Sequence, residues 1–112
     1  MNTEHVEQEN DIEVSSEELI LHGIFDGNAI VKEGGVLQLF GRVSKNVIVE
    51  PGGIAHIMGM VFGDVINKGG ELYISGTILG QLVKEAGITK INQKAEIGTG
   101  INERFNSEKP LE

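Results

Sequence analysis

The sequence predicts an all-β chain wound into a short parallel β-helix, a β-solenoid of about 4–5 coils with 17–18 residues per coil. Three observations carry that expectation. Gly23, Gly41, Gly59 and Gly76 fall 18, 18 and 17 residues apart. The pairs Gly34-Gly35, Gly52-Gly53 and Gly69-Gly70 keep the same beat, and Ala86-Gly87 continues it. Between the glycines, apolar residues recur at even steps, which is the period of a strand. The density of glycine and β-branched residues argues against helix throughout.

Taken in order, residues 1–16 show no sustained apolar period and predict an acidic disordered tail, with Ile12 and Val14 able to add a ragged strand at its end. The solenoid domain is expected over 17–98. Its coils run 18–35, 36–53, 54–70 and 71–87, and a partial fifth begins at Ile88 and loses the pattern near Gly98. The third and fourth coils are one residue short, and the deletion falls in the turn before the glycines, where a solenoid can absorb it. Residues 99–112 read as a polar C-terminal tail, with Leu111-Glu112 as a cloning-site remnant.

Counting each coil from its first residue, four columns are expected to point inward. Position two reads Leu19, Leu37, Ala55, Leu72 and Thr89; position four reads Leu21, Leu39, Ile57, Ile74 and Ile91. Position eight reads Phe25, Val43, Val61, Ile78 and Ala95; position twelve reads Ala29, Val47, Val65 and Leu82. Stacked coils place like over like at about 4.8 Å and fill a narrow continuous core. Glycine at position six and again at position ten (Gly27, Gly63 and Gly80, with Lys45 the exception) brackets a short strand and lets the chain turn a corner. The paired glycines close each coil, where positive φ is expected.

Segments such as Leu39-Phe40-Gly41-Arg42-Val43, Gly63-Asp64-Val65-Ile66-Asn67 and Ile74-Ser75-Gly76-Thr77-Ile78-Leu79-Gly80 resemble the coils of the bactofilins, bacterial polymer-forming cytoskeletal proteins. The resemblance covers about residues 18–98. It implies a right-handed β-helix that assembles end to end into non-polar filaments without nucleotide. The pattern breaks at Gln93 and Ile97, where glycine is expected, so the last coil is either an open end or a cap. A left-handed hexapeptide helix of acyltransferase type is the competing solenoid, since Leu19, Phe25, Val31, Leu37, Val43 and Val49 step by six. That family wants a small residue after each apolar one, and Ile20, Gln38, His56 and Tyr73 stand in those places.

Composition bounds the chemistry. The chain has no cysteine, which excludes disulfides and thiolate metal sites. No run of 18 apolar residues is present and no signal peptide is visible, so a cytoplasmic location without direct membrane insertion is expected. The net charge of −8 is concentrated in residues 1–18, which hold seven acids and no Lys or Arg; the rest carries ten acids against nine bases. An acidic tail on a near-neutral body argues against nucleic acid and anionic lipid as partners, because both need a basic patch.

No catalytic, cofactor-binding or metal-binding residues emerge. His22 and His56 fall on outward positions of different registers, with no acid placed to form a dyad. Carboxylates such as Asp26, Glu33, Glu50, Asp64 and Glu85 sit at turns, where they serve the backbone. The candidate site is an outward apolar patch of Phe40, Met58, Met60, Phe62 and Leu79, read as an interface. Position thirteen is also apolar (Ile30, Ile48, Ile66, Val83); the corner is expected to rotate it inward or a tail to cover it, with lateral contact as the alternative. The function expected is a non-catalytic, self-associating scaffold that forms a homo-oligomer or polymer and uses no cofactor. The alternative is a small protein-binding module such as a toxin-neutralising immunity protein, and an acyltransferase stands behind both.

Overall fold

The computed structural model describes residues 11–98 and the backbone of 101–103. All the regular structure among these residues is strand. The chain opens with β1 (Ile12–Val14), and each coil then lays down three strands. The first contributes β2 (Glu18–Leu21), β3 (Ile24–Phe25) and β4 (Ala29–Val31); the second β5 (Val36–Leu39), β6 (Arg42–Val43) and β7 (Val47–Val49). The third has β8 (Ile54–Ile57), β9 (Met60–Val61) and the start of β10 (Val65–Ile74). The fourth uses the end of β10, β11 (Thr77–Ile78) and the start of β12 (Leu82–Ile91); the last uses the end of β12, β13 (Glu96–Ile97) and β14 (Ile101–Glu103).

Every pairing is parallel and joins a strand to its counterpart in the next coil. The strands therefore form a three-sided β-solenoid. Face one stacks β2, β5, β8 and the later halves of β10 and β12. Face two stacks β3, β6, β9, β11 and β13. Face three stacks β1, β4, β7, the early halves of β10 and β12, and β14. In the shortened coils β10 and β12 run unbroken around the corner from face three to face one, with bulges in their pairing at the bend.

The columns fall in the expected register: Leu19 pairs Leu37, Leu37 pairs Ala55, Ala55 pairs Leu72 and Leu72 pairs Thr89. The core consists of these columns, and a fifth joins them. Val14, Val31, Val49 and Asn67 at position fourteen are all buried, because position twelve already points inward and a strand alternates.

The boundaries of the domain move outward. β1 pairs with β4 and buries Val14, so the stack reaches back past the boundary expected at residue 16. Ser16 stands in the place that Gly34 and Gly52 take in later coils and adopts the same left-handed backbone, at φ 56°. At the other end the repeat is offset and continues. Ile78 pairs with Ile97, so Ile97 and not Ala95 occupies position eight of the last coil. Two extra residues make the corner, where Lys94 N–H donates to Asn92 Oδ1 (2.8 Å) and Ala95 N–H to Asn92 O (3.0 Å). β14 then pairs with β12, which carries the stack beyond residue 98.

Two local devices hold the coils in register. At the turn closing the second coil, Gly53 N–H donates to Glu50 O at 2.9 Å and Gly52 takes φ +86°. With Pro51 before it, this is a type II turn. At the corner between faces two and three, position eleven forms a side-chain ladder. Asn28 N–H donates to Asp11 Oδ1 (3.3 Å), Asn46 N–H to Asn28 Oδ1 (2.9 Å), Asp64 N–H to Asn46 Oδ1 (2.8 Å) and Gln81 N–H to Asp64 Oδ1 (2.9 Å). Each rung satisfies an amide of the following coil where the strand geometry lapses.

Candidate functional site

The five patch residues lie on two neighbouring strips. Phe40 and Met58 stack at position five, along the edge between faces one and two. Met60, Phe62 and Leu79 point outward from face two, at positions seven and nine. Phe40 is 47 % exposed, and Phe62 and Leu79 are each 44 % exposed. Single exposed apolar residues are ordinary; a run across successive coils is not.

Phe40, Met58 and Met60 line one groove of about 430 Å³, together with His22, Ile24, Arg42 and the glycines Gly23, Gly41 and Gly59. Phe62 and Leu79 lie outside that groove. The glycines are its floor because the coils approach there backbone to backbone: a Cβ on Gly59 would sit 2.0 Å from Gly41 O. The expected patch missed Ile24, 51 % exposed at position seven of the first coil. Its place in the column was the signal, since outward positions five, seven and nine carry the patch.

The histidines do not meet each other. His22 stacks on Phe40 of the next coil, with centroids 5.2 Å apart and planes at 11°. His56 stacks in the same way on Tyr73, at 4.8 Å and 15°. Tyr73 donates its hydroxyl to Glu71 Oε1 at 2.8 Å. That hydrogen bond, with desolvation and the carboxylate charge behind it, raises the Tyr73 phenol above its ordinary value. Among the described residues no three His, Cys, Asp or Glu side chains gather as a metal site would require, and no helix is long and apolar enough to cross a membrane.

Position thirteen does not rotate inward. Its neighbours at twelve and fourteen are buried, so Ile30, Ile48 and Ile66 face outward from face three and are half-buried, and the tail expected to cover them lies outside the described residues. Val83, in the same column, is fully covered.

The two ends of the core differ. In the position-four column Leu21, Leu39, Ile57 and Ile74 are closed off from solvent, whereas Ile91 at the C-terminal end is 37 % exposed. At the N-terminal end Leu21 and Phe25 are already buried in the first full coil. The acids Asp11, Glu13, Glu17 and Glu18 are all exposed there, while Lys90, Lys94 and Glu96 give the C-terminal coil charges of both signs. No protein-family model, curated protein or solved structure matches this chain.

Proposed function

We propose that this solenoid is a non-catalytic, self-associating structural element of the cytoplasm, bactofilin-like in kind, whose copies meet through the C-terminal coil. The observation that carries the reading is Ile91. It belongs to a core column whose other members are closed off, yet its side chain is left open to solvent. An apolar core column left open at its last described member is a template for another chain. Like ends are the favoured pair. The acids at the N-terminal end repel a second acidic end, whereas the C-terminal coil offers lysines and a carboxylate to its own copy. The patch at Phe62 and Leu79 stays free in such a stack and adds lateral contact.

Sedimentation of the purified chain, with electron microscopy, tests this. The expected mass is a multiple of 12.1 kDa. Ile91→Glu should lower it with the far-ultraviolet circular dichroism unchanged, and Phe62→Lys should reduce higher assemblies. A 12.1 kDa particle at every concentration would overturn the reading.

A second reading is a small protein-binding module, such as a toxin-neutralising immunity protein. The groove floored by Gly23, Gly41 and Gly59 favours it, because a lateral groove suits a partner's segment and plays no part in end stacking. Removing residues 1–10, which leaves β1 intact, discriminates the two. Loss of partner capture with unaltered mass would favour the binding module.

A further inference from the structure

Face three carries two outward columns side by side. The first is the half-buried row Ile30, Ile48 and Ile66, continued by the covered Val83. The second, at position fifteen, reads Lys32, Glu50, Lys68 and Glu85, so its sign alternates from coil to coil. Backbone bonds hold this column in the ladder: Lys32 N–H donates to Val14 O and Glu50 N–H to Val31 O, each at 2.8 Å. Val49 pairs with Asn67, and Lys68 pairs with Ala86; Glu85, the extra residue of the bulge just before Ala86, brings the fourth charge to this edge. Among the described residues the four members form no ion pair with one another. Lys32 reaches back to Glu13 at 3.6 Å, and both side chains of that pair are exposed.

An alternating row of even length, turned end for end, is its own complement. Against a reversed copy, Lys32 meets Glu85 and Glu50 meets Lys68 at all four places. A parallel copy in register would set like charge on like charge. The same reversal lays Ile48 on Ile66, so the apolar row meets itself at the centre of the charged row. We propose that face three is a contact surface for a second copy of this chain, packed antiparallel about a two-fold axis that passes between the second and third coils. The proposal rests on the self-association reading and adds the face, the orientation and the charge code that selects them. Such a contact is isologous, and each copy gives and receives the same pairs. Charge arranged this way fixes register and partner more than it adds affinity.

Sedimentation of the full chain and of three charge variants tests it. Lys32→Glu with Lys68→Glu makes the column uniformly acidic; Glu50→Lys with Glu85→Lys makes it uniformly basic. Each should lose the face-three pairing step alone, and a one-to-one mixture should regain it. All four substitutions together reverse the row, and this variant should pair with itself. Energy transfer between labelled copies should then show that it does not mix with wild type, since a reversed row against a normal one sets like on like. Circular dichroism checks the fold of each variant, and the reversed one keeps both composition and alternation should a uniform one fail to fold. Uniform variants that assemble like wild type, or free mixing of reversed and wild-type chains, would overturn the proposal. A wild-type chain that stays monomeric would end the self-association reading as well, whereas wild-type assembly indifferent to these charges would end this inference alone.

Discussion

Asn67 is the sharpest place to perturb the fold, because its column names the replacement. Position fourteen is Val14, Val31 and Val49 in the earlier turns, so Asn67→Val inserts a side chain the column already accommodates. On apolar burial alone the variant would be more stable. The hydrogen bonds argue otherwise. Asn67 Oδ1 accepts from Gly69 N–H (3.0 Å) and Gly70 N–H (2.9 Å), taking the part that the Glu50 carbonyl plays in the preceding turn. Its Nδ2 donates to Ile88 O (3.0 Å), Thr89 Oγ1 (3.0 Å) and Gly70 O (3.3 Å). Valine strands two amides and a carbonyl in or near the core, at about 1–3 kcal/mol for each group left fully buried. The added apolar burial returns at most about 1.5–3 kcal/mol, and the net expectation is a loss of about 2–4 kcal/mol. Urea denaturation followed by circular dichroism would read this as a midpoint lowered by about 1–3 M. Replacing Asn67 to Gly70 by the five-residue turn Val-Glu-Pro-Gly-Gly of the second coil should restore most of the loss. An Asn67→Val variant within about 0.5 kcal/mol of wild type would refute the reasoning.

The remaining predictions are simpler. Gly59→Ala sets a Cβ 2.0 Å from the Gly41 carbonyl oxygen, where only backbone can yield, so the stack must open at that coil. A loss of about 3 kcal/mol or more is expected, read as a melting temperature lowered by more than about 12 °C; an unchanged melting curve would contradict the close approach. Tyr73, whose phenol is raised by Glu71, favours its neutral form in the fold. Its contribution is fully present below the unfolded tyrosine pKa of about 10 and is lost as pH rises through the higher folded value. Stability measured from pH 8 to 11 should therefore fall more steeply at the alkaline end in wild type than in Tyr73→Phe, and parallel curves would count against the hydrogen bond.

The repeat was legible because its signal is written in every coil. Four inward columns and the glycine corners follow from period and alternation, and the register bears them out from Leu19 to Thr89. What was hidden lies where two departures compensate. Asn67 breaks an apolar column and so does Thr89; neither looks structural alone, yet they are bonded to each other across the shortened turn. The asparagine ladder was hidden for a similar reason, since Asn28, Asn46 and Asp64 look like ordinary turn residues until stacking aligns them. The last coil was misread because two residues inserted at a corner displace every later position, which a count from the glycines cannot detect. Of the site, the exposed patch was legible as grease on outward positions. Its division into a groove and a separate strip was not, because that depends on where the corner falls between positions five and seven.

The C-terminal and face-three contacts, taken together, constrain the assembly further than either does alone. Both are isologous, and both two-fold axes run across the stack. The face-three axis crosses between the second and third coils, whereas an end-to-end axis lies beyond the fifth, about three coils or ~14 Å away along the stack. Two-fold axes that do not meet cannot generate a closed ring, because each successive pair of rotations adds a translation. A chain using only one contact stops at a dimer; a chain using both grows without limit and has no polarity. In a Phe62→Lys background, which removes the lateral patch, the uniform-charge variants of face three should therefore convert any long assembly into discrete C-terminal pairs, and Ile91→Glu should convert it into discrete face-three pairs. Each single variant stopping at 24.2 kDa, twice the 12.1 kDa chain, while wild type grows past it is the signature of two offset axes. A finite tetramer from the wild-type chain would place the axes on a common point and refute that geometry.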